Sequence, residues 1–144
     1  MSKDSDNQTD DNKEVWSYFI EILINQGDYD KADRICHDAL KKDRKFKEAW
    51  YFFGLNFYKQ GKYDDAELSC MEALELDDKY INALLCLGAA LFKQNKYPES
   101  EKTIKKLLKL DKNNKDAWRI LSILLRKQGK YDEAEYAERK GDMK

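Results

Sequence analysis

A spacing of 34 residues recurs throughout this sequence and leaves few architectures open. Trp16, Trp50 and Trp118 keep that register, with Leu84 at the intervening beat. Tyr29, Tyr63, Tyr97 and Tyr131 hold it without a gap, as do Gln26, Gln60, Gln94 and Gln128. Gly27, Gly61 and Gly129 share another register with Asn95, and Ala32, Ala66 and Ala134 one more with Ser100. Self-similarity at such a period marks stacked supersecondary units rather than one irregular core. A frame set at Lys13 gives repeats 13–46, 47–80, 81–114 and a shorter 115–144. Residues 1–12 fall outside it. They are acidic and carry no apolar residue after Met1, so they read as a disordered tail.

Each repeat holds two helical patterns. In the second, Trp50, Phe53, Gly54 and Phe57 fall at i, i+3, i+4 and i+7, one face of a helix. Tyr63, Ala66, Cys70 and Ala73 mark another. Gly61 breaks the two, because glycine takes the positive φ that ends a helix. Asn95 is the next best residue for that conformation, and Pro98 suits the first turn of the helix that follows. Gly54 and Gly88 lie inside first helices, where glycine costs about 1 kcal/mol against alanine. That cost predicts close approach of a neighbouring helix, with Ala66 and Ser100 as the small partners.

These positions resemble the tetratricopeptide repeat family. Its pattern has Trp or Leu at frame position 4, Leu at 7, Gly at 8, Tyr at 11, Ala at 20, an aromatic at 24 and Ala at 27. Repeat two supplies Trp50, Phe53, Gly54, Phe57, Ala66, Cys70 and Ala73, and repeat three Leu84, Leu87, Gly88, Leu91, Ser100, Ile104 and Leu107. Repeat one carries Ile20 in place of the glycine, and repeat four departs at Glu138. The family's proline at position 32 is absent, leaving Asp43 and Asp77 as turn formers. The resemblance implies an all-α, right-handed α-solenoid of four helix-turn-helix repeats, with the last helix as a polar cap.

In that family the first helices line a concave surface through frame positions 2, 5, 6, 9, 12 and 13. Carried onto this chain, the groove is expected from Tyr18, Tyr51, Phe52, Leu55, Leu85, Cys86, Ala89, Arg119, Ile120 and Ile123. Its middle is apolar, and an exposed apolar patch of that extent marks an interaction site. The implied role is a protein-protein interaction module, an adaptor or co-chaperone, holding an apolar or amphipathic peptide segment. A chaperone resembling those of type III secretion translocators is the alternative, as is a self-associating structural repeat that makes a homo-oligomer. Family members that clamp the C-terminal tails of Hsp70 and Hsp90 need a Lys, Asn, Asn, Lys, Arg set. The matching positions from repeat one are Ser17, Glu21, Phe52, Asn82 and Cys86, so no tail clamp of that type is expected.

Other classes are expected to be absent. The 27 Lys and Arg against 28 Asp and Glu give a net charge of −1, without the basic excess that nucleic-acid binding needs. No run of apolar residues is long enough for membrane insertion, and no leader-like apolar stretch opens the chain. Three scattered cysteines fit a reducing, cytoplasmic setting. Cys36 and Cys70 are expected as buried packing residues, and His37 as a surface residue without metal partners. No phosphate loop, nucleophile elbow or histidine-carboxylate pair stands in the sequence, so neither enzyme activity nor a cofactor is expected. The stripe Lys102, Lys105, Lys106 and Lys109 reads as a solvated helix face.

Overall fold

The computed structural model describes the backbone of residues 2–143 and the side chains of residues 12–143. Among the described residues it is built of helices alone: α1 (Ser2–Asn25), α2 (Tyr29–Lys42), α3 (Lys47–Lys59), α4 (Tyr63–Leu76), α5 (Ile81–Lys93), α6 (Tyr97–Leu110), α7 (Lys115–Lys127) and α8 (Tyr131–Asp142). Neighbours in sequence pack as antiparallel hairpins, and α1, α3, α5 and α7 also touch in series. The chain is thus a stack of four hairpins, with α3, α5 and α7 beginning at the frame's own boundaries.

The first helix reaches beyond the frame. The stretch 1–12, expected as a disordered tail, continues α1 as helical backbone from Ser2. Nothing in the sequence before Gly27 is glycine or proline, so no residue interrupts that helix.

Every first helix ends the same way. Gly27, Gly61 and Gly129 have φ of 78°, 78° and 77°, and Asn95 takes 64°. In repeat two, Gly61 N–H donates to the Tyr58 carbonyl (3.0 Å) and Lys62 N–H to the Phe57 carbonyl (2.9 Å). These are the paired bonds of a Schellman motif, and the other three repeats reproduce them. A side chain at Gly61 would meet open space, so the backbone angle alone selects glycine there.

Inside the hairpins, glycine serves the other purpose. A Cβ on Gly54 would lie 2.6 Å from Cys70 Sγ, and one on Gly88 would lie 2.5 Å from Ile104 Cδ1. The close partner is therefore the residue at frame position 24, rather than Ala66 or Ser100. Those two still contribute: the Ala66 carbonyl sits 3.3 Å from the same point, and the Ser100 hydroxyl donates to the Gly88 carbonyl at 2.7 Å.

Two apolar clusters form the core. One joins Ile20, Ile24, Cys36, Leu40, Phe46 and Phe53 across repeats one and two. The other joins Leu84, Ile104, Leu107, Leu121, Leu125 and Ala137 across repeats three and four. Between them α4 packs on α5, and both bury small side chains, Ala66, Cys70 and Ala73 on α4 and Ala83, Cys86 and Ala90 on α5. Cys36 and Cys70 are fully buried, and burial pushes the Cys36 thiol up to about 12. Helix α8 buries Ala134 and Ala137 and leaves Glu133, Glu135 and Arg139 exposed. Glu138, at a frame position that is apolar elsewhere, is half-exposed and pairs with Arg126 at 2.6 Å.

Between hairpins, an aspartate takes over from the missing proline. Asp43 Oδ1 accepts from Lys45 N–H (3.0 Å) and Asp77 Oδ1 from Lys79 N–H (3.1 Å). Each carboxylate also binds the lysine that opens its repeat, Lys13 at 2.7 Å and Lys47 at 2.6 Å. These lysine bonds, then the backbone donors, hold both carboxyls below the usual carboxylate range. A depressed folded-state pKa means stabilisation that is present at neutral pH and lost as pH falls through that value. Acid titration of the thermal midpoint should therefore show a smaller loss for Asp77→Asn than for the unaltered chain below about pH 4. Equal losses would count against a structural role for this pair. At neutral pH the substitution should cost little, because the pair faces solvent.

Candidate functional site

One face of α3, α5 and α7 opens into a groove of about 510 Å³. Residues three and four apart on a helix share a face, so each helix contributes a short column. From α3 come Tyr51, Leu55, Tyr58 and Lys59; from α5, Asn82, Leu85, Cys86 and Ala89; from α7, Asp116, Arg119 and Ile120. The lining drifts from the C-terminal half of α3 to the N-terminal half of α7, so the groove crosses the helices obliquely. Its floor is aliphatic and phenolic. Lys59 stands at one end, and at the other Arg119 pairs with Asp116 at 3.2 Å.

The phenols belong to the floor more than to the rim. Burial raises the pKa of Tyr51 well above the ordinary range, with the nearby Cys86 adding to it, and burial also raises that of Tyr58. Both stay protonated near neutral pH, so their hydroxyls carry no charge and can donate to a ligand. The Tyr51 ring is held between Phe52 (centroids 5.0 Å apart) and Tyr80 (5.6 Å), and the Tyr58 ring meets Tyr63 edge-on at 5.3 Å. Cys86 is buried, only 7% exposed, so it presents little sulfur to the groove.

Seven of the ten expected groove residues are thus brought together: Tyr51, Leu55, Leu85, Cys86, Ala89, Arg119 and Ile120. Three are not. Phe52 is only 9% exposed and belongs to the core cluster of repeats one and two, together with Ile20 and Ile24 of α1. The correction has a simple cause: α1 packs on α3 and covers the side chain that a single-helix pattern leaves open. Tyr18 on α1 is 66% exposed and lies outside the groove lining. Ile123, 45% exposed one turn beyond Ile120, is also outside it.

Tyr58, Lys59, Asn82 and Asp116, at frame positions 12, 13, 2 and 2 that the resemblance aims into the groove, complete the lining. The recurrent glutamine fastens the first helices: Gln94 Nε2 donates to the Glu67 carboxylate (2.9 Å) and Gln128 Nε2 to that of Glu101 (3.0 Å), each in the preceding hairpin. The unbroken register of Gln26, Gln60, Gln94 and Gln128 was the available signal. His37 is an exposed residue that lies edge-on to Phe53 at 4.9 Å and faces Asp33 at 3.7 Å. Among the described residues no cluster of His, Cys, Asp and Glu has the arrangement of a metal site. None of the helices searched is long and apolar enough to cross a membrane.

Stacked helix-turn-helix units with glycine-ended first helices and a first-helix groove define a tetratricopeptide-repeat solenoid. Residues 25–144 match the family model of the Cilia and flagella-associated protein 70 middle TPR-like domain, and the chain belongs to that family. No curated protein sequence matches the chain significantly. Solved structures give the fold independently. MamA superposes with a TM-score of 0.77 at 24% identity, over 85% of this chain and 71% of that one. The first TPR of Spaghetti (RPAP3), solved with the HSP90 peptide SRMEEVD, also gives 0.77 at 24% identity, over 81% and 93%. TTC0263, a thermophilic TPR protein of Thermus thermophilus, gives 0.78 at 16% identity, over 90% and 72%.

Proposed function

We propose that this chain is a protein-interaction module that takes an apolar or amphipathic peptide segment into the groove of α3, α5 and α7. The observation that carries the reading is the partly exposed floor of Tyr51, Leu55, Leu85, Ala89 and Ile120, continuous across three repeats. Apolar surface gains about 25 cal/mol per Å² on burial. A helical segment covering some 400 Å² of it would gain about 10 kcal/mol gross, reduced to roughly micromolar affinity by ordering and association costs.

That a similar fold holds an HSP90 peptide supports a peptide as the ligand class. It does not support a carboxylate-tail ligand here. At the clamp positions Phe52 and Cys86 are buried, and Glu21 would repel a carboxylate. The groove favours a ligand by its apolar face, with Lys59 and the Asp116–Arg119 pair fixing its ends.

The test is quantitative affinity capture, comparing the unaltered chain with Tyr51→Glu/Leu85→Glu. Both line the open groove, and helicity by circular dichroism checks that the fold persists in the variant. A partner in the groove should fall in enrichment by at least about tenfold, the ordinary consequence of burying a charge against apolar surface. Equal capture of the same partner by both forms would place its binding elsewhere.

A further inference from the structure

The opposite side of the stack carries three cavities that repeat with the period of the chain. Each lies where frame positions 4 and 7 of a first helix meet the second helices beside it. In repeat two His37, Leu40, Trp50 and Phe53 line it, over about 560 Å³. In repeat four Trp118, Leu121, Leu125 and Tyr136 line it, over about 400 Å³. In both, the tryptophan indole is fixed by a bond to a carbonyl in the preceding turn: Trp50 Nε1 to Arg44 (2.9 Å) and Trp118 Nε1 to Lys112 (2.8 Å). A second ring adds cover, His37 against Phe53 and Tyr136 against Trp118.

Repeat three lacks this cover. Leu84 stands where the others carry tryptophan, and no aromatic side chain lines the cavity among the described residues. It is correspondingly the largest of the three, about 680 Å³, with Leu74, Leu84 and Leu87 as its floor. Its wall is Lys102, Lys105, Lys106 and Lys109 of α6, all exposed. Among the described residues Glu101 is the one carboxylate in the lining, and it is already engaged by Lys105 (3.8 Å) and Gln128 (3.0 Å). A solvated lysine stripe needs no apolar trough beside it. Here the stripe borders one that opens where the tryptophan is missing.

We propose that this cavity is a second binding site, for an acidic peptide segment that inserts one aliphatic or aromatic side chain between flanking Asp and Glu residues. The leucine floor takes the anchor, and the lysines meet the carboxylates. Charge complementarity selects the class. Lysine is a flexible point charge that meets anions at variable positions, and the leucine floor beside the stripe calls for an anionic ligand that also carries an apolar side chain, as a peptide does. The floor also offers no aromatic face on which a nucleic-acid base would stack. The site shares no lining residue with the groove of α3, α5 and α7 and stands independently of the function proposed for it.

Fluorescence anisotropy with a labelled peptide, one phenylalanine between runs of glutamate, tests the proposal. Leu84→Trp installs the residue that repeats two and four already accommodate, and should weaken binding about tenfold by filling the cavity. Lys106→Glu/Lys109→Glu should weaken it at least as much by reversing the wall. Replacing the peptide's phenylalanine by serine should cost about tenfold, and Tyr51→Glu/Leu85→Glu should leave binding unchanged. Undetectable binding, equal affinity for the serine peptide, indifference to Leu84→Trp in a chain that still melts cooperatively, or binding to phosphatidylserine vesicles but not to the peptide would each overturn it.

Discussion

Ile104→Ala should lower the unfolding free energy by about 3–4 kcal/mol, and Gly88→Ala, harmful alone, should return part of that loss. Ile104 is fully buried in the cluster of repeats three and four. Truncating such a side chain costs about 2–5 kcal/mol through lost transfer energy and the cavity left behind. Gly88→Ala alone places a methyl 2.5 Å from Ile104 Cδ1, and overpacking of that kind costs about 1–3 kcal/mol. With Ile104 already alanine, the same methyl enters the vacated space and gains about 1 kcal/mol of helix propensity. The double-mutant cycle should thus show a favourable coupling of about 2 kcal/mol. Strict additivity in chemical denaturation would show that α5 and α6 do not meet at this point.

Phe52→Ala should destabilise the chain by about 3–4 kcal/mol, a core effect rather than a surface one. Phe52 shares a packed cluster with Ile20, Ile24 and Phe53. A side chain lining an open groove would instead change stability by under about 1 kcal/mol when truncated. Denaturant melts of Phe52→Ala beside Leu85→Ala separate the two situations, because Leu85 is only partly buried and lines the groove. Similar small losses for both would return Phe52 to the surface.

Phe52 also marks the boundary of what the sequence can express. The turns were legible because Gly27, Gly61, Gly129 and Asn95 answer to a backbone angle that few residues tolerate. The tyrosines at 34-residue spacing begin the second helices α2, α4, α6 and α8 for a similarly local reason. The face shared by Tyr51, Leu55, Leu85 and Ile120 follows from helical period once the frame is known. Phe52 depends on how far α1 rolls over α3, which is tertiary packing and leaves no trace in spacing. The same holds for Asn56, a fully buried polar residue that donates to the Tyr29 carbonyl at 3.1 Å between two hairpins. It holds too for the lysine stripe of α6: its charge was plain in the sequence, but the trough beside it depends on neighbouring helices.

The joint between α4 and α5 has a mechanical consequence. Both helices bury mostly small side chains, alanine and cysteine, and the two backbones approach more extensively than at the joints of α2 with α3 or α6 with α7. Short side chains have no spare rotamers with which to absorb a shift. Bending there would press backbone on backbone, so repeats two and three should move as one stiff block. Compliance is left to the outer joints, where longer side chains can slide. A ligand crossing α3, α5 and α7 would therefore find one fixed jaw and one that gives.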